Sequence, residues 1–363
     1  MVNLTKFYDL NKQDKVLSQK IFKSIKKIIN NKNFINGKEV EIFEKKFAHY
    51  IKSKYSVSCS NGTDALTLAL KSLNLKPQSE VIIPAMTYIS TAYAIINANL
   101  KPALVDIDIN TGLMDIKNLK KKISNNTKVV MPVHLYGNVF DVKKVYKIKK
   151  NLIVIDDASQ AHGAYYKNKK KVGTQTDATC FSLYPGKNLG AYGDAGIITT
   201  DSLKIKNNLI KLSNLGAYRF DKYNHQIIAH NNRLDTIQAA ILNIKILKLN
   251  KNNALRKSIA KEYINNINNK KIKILNYSKN SVFHQFIILV KNRKKFMTYM
   301  TKKNIQTGIH YPKSINQHNS LKDIFKSKFP NAEKFAKECV SLPIDPYLNN
   351  KEVMHIIDSI NSY

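Results

Sequence analysis

Six short apolar runs limit what this chain can fold into. They are Val81-Ile82-Ile83, Ala103-Leu104-Val105, Val129-Val130-Met131, Leu152-Ile153-Val154-Ile155, Ala178-Thr179-Cys180-Phe181 and Gly196-Ile197-Ile198-Thr199-Thr200. They are rich in β-branched residues, and longer segments with helical patterning separate them. Runs of this kind are strands buried on both faces, so the rhythm predicts an α/β fold with a mostly parallel sheet between helices. Residues 65–73 are apolar nearly all round and predict a buried helix. Residues 237–249 predict another, with Ile241, Ile244 and Lys248 marking two faces. The composition changes after Leu249, and Lys251-Asn252-Asn253 reads as the start of a linker. Beyond it the elements are weaker and more polar, with a strand expected over residues 286–290. The expected organisation is a large α/β domain over residues 1–250 and a smaller α+β domain over residues 251–363. No internal repeat is apparent.

The formal net charge is +35, which raises a polyanion-binding alternative. Its distribution argues against a dedicated surface. Lysine pairs and triplets occur along the whole length, and only Arg219, Arg233, Arg256 and Arg293 are arginine. Charge spread this way reads as solvated surface, with no specific nucleic-acid partner. Cys59, Cys180 and Cys339 are odd in number and far apart, which suggests a reducing compartment such as the cytoplasm. They have no metal-ligand spacing, so no metal is expected. Residues 1–15 contain no apolar signal core. Residues 81–100 carry no charge, but Pro84, Thr87, Ser90, Thr91, Asn97 and Asn99 make a strand, a loop and a helix a better fit than a membrane span.

Lys187 opens a glycine-punctuated loop just after an apolar strand. A lysine held there can lose solvation and form a Schiff base with an aldehyde; taken alone, it reads far more readily as a solvated loop lysine. Three other elements bear on that choice. Ser60-Asn61-Gly62-Thr63-Asp64 precedes the buried helix and either presents N–H groups to a phosphate or simply caps the helix with Thr63 or Asp64. Asp156-Asp157 ends a strand, where α/β sheets bind ligands, and one acid either pairs with a protonated pyridine nitrogen or is a solvated strand end or helix N-cap. Ser182 could meet a phosphate or be a turn serine. A Walker loop is excluded, because Phe181 and Asn188 stand where Gly and Ser or Thr are required. The Gly190, Gly193, Gly196 spacing makes a poor dinucleotide fingerprint.

The ordered set of motifs is more specific than any one of them. It comprises Asn61-Gly62-Thr63-Asp64-Ala65-Leu66, Pro84-Ala85-Met86-Thr87-Tyr88, Pro132-Val133-His134-Leu135-Tyr136-Gly137 and Asp157-Ala158-Ser159-Gln160-Ala161-His162-Gly163. Phe181-Ser182, Lys187-Asn188-Leu189-Gly190, Asn231-Asn232-Arg233-Leu234-Asp235 and Gly308-Ile309-His310-Tyr311-Pro312 follow in order. Nearly end to end, the chain resembles the DegT/DnrJ/EryC1/StrS family of sugar aminotransferases. The resemblance implies a type I aminotransferase fold with a seven-stranded sheet, pyridoxal 5'-phosphate, and a homodimer with shared active sites. It implies Lys187 as the Schiff-base lysine and Asp157 as partner of the pyridinium nitrogen. It places Gln160 near the ring hydroxyl, and Gly62, Thr63 and Ser182 on the phosphate. Tyr88 would stack on the ring, and Asn231 would reach the phosphate of the neighbouring subunit. His310 and Tyr311 match a sugar-site segment.

The chain departs from the family at Ala229, where glycine is usual, and over residues 76–80, which lack the usual Gly-Asp. Relatives with His in place of the lysine act as dehydratases; Lys187 points to transamination. The implied reaction moves an amino group from L-glutamate to a nucleotide-linked keto-hexose, serving cell-surface glycan biosynthesis. Residues 222–225 and 231–240 look closest to members acting on 3-keto sugars, so C3 is favoured over C4. Arg219 and Arg233 fall in this region and are candidate substrate contacts, or else structural ion pairs such as Arg233 with Asp235.

Overall fold

The computed structural model describes residues 4–9, 12, 17–221 and 223–363. Its centre is a seven-stranded sheet in the order β1-β7-β6-β5-β4-β2-β3. The strands are β1 (Tyr55–Cys59), β2 (Glu80–Pro84), β3 (Lys101–Val105), β4 (Thr127–Val130), β5 (Ile153–Asp157), β6 (Ala178–Ser182) and β7 (Gly196–Thr200). Only β7 runs against the others, pairing antiparallel with both β1 and β6. The six apolar runs become β2 to β7. Strand β1 was not expected: Tyr-Ser-Val-Ser-Cys offers one β-branched residue and no apolar run.

The expected buried helix is α3 (Gly62–Ser72), whose apolar residues Ala65, Leu66, Leu68, Ala69 and Leu70 are all sealed. It follows α1 (Ser18–Asn31) and α2 (Lys38–Ile51) and packs on β6 and β7. Next come α4 (Ile89–Asn97), α5 (Ile116–Lys122), α6 (Lys143–Ile148) and α7 (Leu203–Ser213). Residues 81–100 thus form β2, a loop and α4, and no helix among the described residues is long and apolar enough to cross a membrane.

The expected helix over residues 237–249 is split. Helix α8 (Thr236–Lys245) passes through a 3-10 turn at Ile246–Lys248 into α9 (Leu249–Asn266). The expected linker Lys251-Asn252-Asn253 therefore lies inside a helix. Its polarity suggested a linker, but Asn253 is buried and spends its amide on the core. It donates to the His162 carbonyl at 2.8 Å and accepts from Asn188 at 2.9 Å. Beyond α9, an antiparallel sheet in the order β10-β9-β8 is built from β8 (Lys273–Ile274), β9 (Phe286–Leu289) and β10 (Cys339–Leu342). Helices α10 (Arg293–Lys302), α11 (Pro330–Glu338) and α12 (Asn350–Asn361) accompany it. Tyr263, Phe286, Phe296, Met300, Ile356 and Ile360 form a second apolar cluster here, separate from the one around the large sheet. Such burial drives folding at roughly 25 cal/mol per Å² of apolar surface.

Candidate active site

The carboxyl ends of β1, β5 and β6 open on one cavity of about 860 Å³. Gly62, Thr63, Tyr88, Asp157, Gln160, Ser182, Lys187, His310 and Tyr311 all line it. The chain leaves β1 through Asn61, which caps α3: its side chain accepts from Asp64 N–H at 2.8 Å. Asn61 is therefore the cap, rather than Thr63 or Asp64. The Asp64 carboxylate folds back on the turn and accepts from Ser60 and from Asn61 Nδ2. Thr63 and Gly62 are left in the first turn of the helix, where N–H groups lack intrahelical partners. A Cβ on Gly62 would lie 2.5 Å from Ser182 Cβ, so the α3 turn and the end of β6 touch only because residue 62 is glycine. That contact forms a small concave cradle at a helix N-terminus, the geometry that suits a phosphate.

Asp156 and Asp157 alternate across the sheet, as strand residues must. Asp156 is sealed on the far side, where Tyr166 donates to it and His134 Nε2 lies 3.2 Å away. Asp157 lines the cavity and is 5% exposed. It accepts from Thr91 Oγ1 at 2.9 Å and from Ser159 N–H at 3.1 Å. These two bonds orient the carboxylate. Strand alternation selects Asp157 of the pair as the acid that faces the cavity.

Lys187 follows β6 by way of a turn closed by its own N–H on the Tyr184 carbonyl at 2.9 Å. Part of its side chain faces the cavity, while protein surrounds the rest. Burial pulls its ammonium down to about 8, and Asp157 opposes that fall. No hydrogen bond or ion pair engages its amine among the described residues. Gln160 Oε1 accepts from Tyr136 N–H, and its Nε2 donates to Tyr311 Oη at 3.0 Å. The Tyr311 ring lies 5.3 Å from Tyr88, and Tyr88 leaves half its surface open over the cavity. His310 accepts from or donates to Ser341 Oγ at 2.8 Å and is stacked by Phe7. Burial, reinforced by Lys187, holds its imidazole down to about 4. Among the described residues no His, Cys, Asp or Glu cluster is placed to hold a metal ion.

Three expected residues lie off this cavity. Asn231 is exposed and bridges Asn214 through its backbone. Arg219 is taken by Glu44, with Nη1 donating at 2.7 Å and Nη2 to the other oxygen. Arg233 also lies off the cavity, and among the described residues no ion pair joins it to Asp235. Lys222, in the segment singled out for sugar selectivity, lies outside the described residues. Conversely, Phe7, Tyr8, Arg256, His284 and Asp345 line the cavity and were not expected. Only Arg256 left a sequence signal, as one of four arginines in a lysine-rich chain.

A cavity lysine pulled down by burial, a buried acid in the same cavity and a concave helix N-terminus on a mostly parallel sheet are the parts a pyridoxal-phosphate aminotransferase needs. The chain belongs to the DegT/DnrJ/EryC1/StrS aminotransferase family, whose sequence profile matches residues 15–361. It is 40% identical to the dTDP-3-amino-3,6-dideoxy-alpha-D-galactopyranose transaminase of Aneurinibacillus thermoaerophilus, over 98% of this chain and 99% of that one. Among solved structures, S. venezuelae DesV in complex with a ketimine intermediate superimposes with a TM-score of 0.96 at 31% identity, covering 99% of this chain and 98% of that one. Bacillus subtilis NtdA with bound cofactor PMP superimposes with a TM-score of 0.91 at 28% identity, covering 99% of this chain and 85% of that one. None of these relatives is named for polyanion binding. The cofactor is pyridoxal phosphate, and the residues present fit it: the Gly62–Ser182 cradle, the inward Asp157 and the open Lys187 amine.

Proposed function

We propose that this enzyme transfers an amino group from L-glutamate to C3 of a nucleotide-linked keto-hexose destined for a cell-surface glycan. The observation that carries the reading is Lys187, whose unpartnered amine shares one cavity with the inward carboxylate of Asp157. When bound, pyridoxal phosphate supplies an electron-withdrawing ring that stabilises negative charge on the carbon exchanging its amine. Asp157, steadied by Thr91 and the Ser159 N–H, would pair with the ring nitrogen. Gly62, Thr63 and Ser182 would hold the phosphate. Tyr88 would cover the ring, and Gln160, which fixes Tyr311, would offer its remaining amide N–H to the ring hydroxyl. Lys187 Nζ takes up and returns a proton, which an amine near neutrality does well. His310 and Tyr311 face the sugar.

C3 selectivity is supported by the 3-amino sugar in the name of the relative that is 40% identical. We place the enzyme in the cytoplasm as a homodimer, with Asn231 and the region of Arg219 and Arg233 serving the neighbouring site. The exposed Phe220, Tyr223 and Ile228 support a partner subunit on that face. We take the large domain to end near residue 250, within α9, whose Leu249 packs in the first apolar cluster and whose Ile259, Ala260 and Tyr263 pack in the second.

The test is the visible spectrum of the purified protein before and after L-glutamate. Wild type changes from the aldehyde-derived to the aminated form of the cofactor, and Lys187→Ala loses both the initial band and turnover. A colourless wild type unaffected by added pyridoxal phosphate, or a fully active Lys187→Ala, refutes the reading. Product NMR locates the new nitrogen, and amination at C4 overturns the C3 assignment.

A further inference from the structure

Arg256 enters the cavity wall from α9 and is 2% exposed. Among the described residues it makes a single hydrogen bond, from Nη1 to the Ile344 carbonyl at 2.7 Å. Nε is sealed from solvent without a partner. Nη2 has no partner among the described residues either, and it is not sealed as Nε is; the side chain lines the cavity. Asp345 lies nearby and is 3% exposed. No ion pair joins the two among the described residues. The Asp345 oxygens are taken by the backbone N–H groups of Tyr347 at 2.9 Å and Asp9 at 3.4 Å. Asp345 thus tempers the charge of Arg256 without filling its fork.

A buried guanidinium with an empty edge has lost its hydration and gained little in return. A planar carboxylate restores both charge and hydrogen bonds in the geometry that a guanidinium favours. The phosphate cradle is built from other elements, α3 and β6, so Arg256 is not needed there. His284 relates the two cations. It lines the cavity, and its imidazole is pushed down first by burial and then by Lys187 and Arg256 together.

The Asn188 side chain fixes which face His284 presents. Asn253 Nδ2 donates to the His162 carbonyl, so Asn253 Oδ1 accepts from Asn188 Nδ2. Asn188 Nδ2 also donates to the Val282 carbonyl, which leaves Asn188 Oδ1 to accept from His284 Nδ1 at 3.0 Å. The imidazole is neutral, and its Nε2 carries a lone pair. The neutral ring, which feels both Lys187 and Arg256, therefore adds no further positive charge to theirs.

We infer that the open edge of Arg256 binds a carboxylate of the amino donor. The donor's amine is then presented toward Lys187 and its carboxylate toward α9. This inference rests on the aminotransferase reading and adds a place for the donor, which no part of that reading assigns.

The test mixes holoenzyme with L-glutamate and follows cofactor absorbance in single turnovers. Arg256→Gln raises the half-saturating glutamate concentration on the order of 10- to 100-fold, as loss of a charge-assisted pair does. Arg256→Lys raises it less, because it keeps the charge and loses the fork. L-Alanine and L-glutamine separate the two carboxylates. A weakening shared by all three donors identifies the α-carboxylate, and one confined to glutamate identifies the side-chain carboxylate. A second measurement needs no variant: with wild type, glutamate dimethyl ester saturates on the order of 10- to 100-fold less well than glutamate. The inference is overturned if Arg256→Gln saturates with glutamate as wild type does, or if the ester matches the acid. It is also overturned if the variants weaken the sugar nucleotide and leave glutamate untouched. A wild type that responds to no donor refutes the aminotransferase reading itself.

Discussion

In the cofactor-free protein, Lys187 is expected to titrate far below a solvated lysine, as partly buried Lys171 also does. Burial is the cause: the charged amine loses hydration that Asp157 only partly replaces, and the result is a pKa of about 8 against an ordinary 10.5. At pH 8 about half of the Lys187 amines are neutral, on the order of a hundredfold more than for a solvated lysine. Trace acetylation across a pH series, read peptide by peptide by mass spectrometry, measures this directly. Lys187 labelling rises with a midpoint near pH 8, while labelling of solvated lysines as a class continues to rise well above about pH 9. The same burial sets a stability trend. The folded-state value lies below the unfolded one, so burying the charged amine costs stability in full below pH 8. That cost disappears as pH rises toward 10.5, because the unfolded chain binds more protons across that window. Cofactor-free Lys187→Met is therefore more stable than wild type at pH 7, and the gap closes above pH 10. Labelling of Lys187 that runs parallel to that of the surface lysines, or a stability gap independent of pH, refutes the argument.

Three further outcomes follow from contacts in the site and its surroundings. Gly62→Ala puts a methyl 2.5 Å from Ser182 Cβ; overpacking of this kind costs about 1–3 kcal/mol, so cofactor affinity measured by equilibrium dialysis falls roughly 5- to 150-fold while circular dichroism is unchanged. Gln160→Ala leaves the buried Tyr136 N–H without its acceptor, lowering stability by about 1–3 kcal/mol in urea unfolding, whereas Gln160→Glu keeps that acceptor. Arg219→Ala strands the Glu44 carboxylate, which also accepts from Ser58 N–H at 2.7 Å, and lowers stability by about 3 kcal/mol; an unchanged melting temperature with a raised KM for the sugar nucleotide would instead favour the substrate role.

Much of the large sheet was legible because buried parallel strands are short and apolar, and a run such as Leu152-Ile153-Val154-Ile155 has few other ways to fold. Strand β1 was not legible. It alternates Ser with Val and Cys, and it is a strand because β7 and Glu44 satisfy its backbone and hydroxyls. Lys251-Asn252-Asn253 misled for the opposite reason: polar residues usually mark a solvated link, but here Asn253 is a buried hydrogen-bonding hub.

By itself the sequence determined the layered α/β class and the family, and it singled out Lys187 as the candidate Schiff-base lysine, because each rests on residue order and local chemistry. It also supplied both acids after Ile155 without deciding between them by chemistry alone. Tertiary structure decided which groups share a surface. Strand alternation turned Asp157 inward and Asp156 away; the close approach of α3 to β6 made Gly62 and Ser182 one cradle; and Glu44, distant in sequence, engaged Arg219. It also brought Arg256, His284 and Phe7 to the cavity from segments with no motif of their own. Hydrogen bonds and burial depend on neighbours that chain order does not contain, so a residue's partners emerged only when the chain was folded.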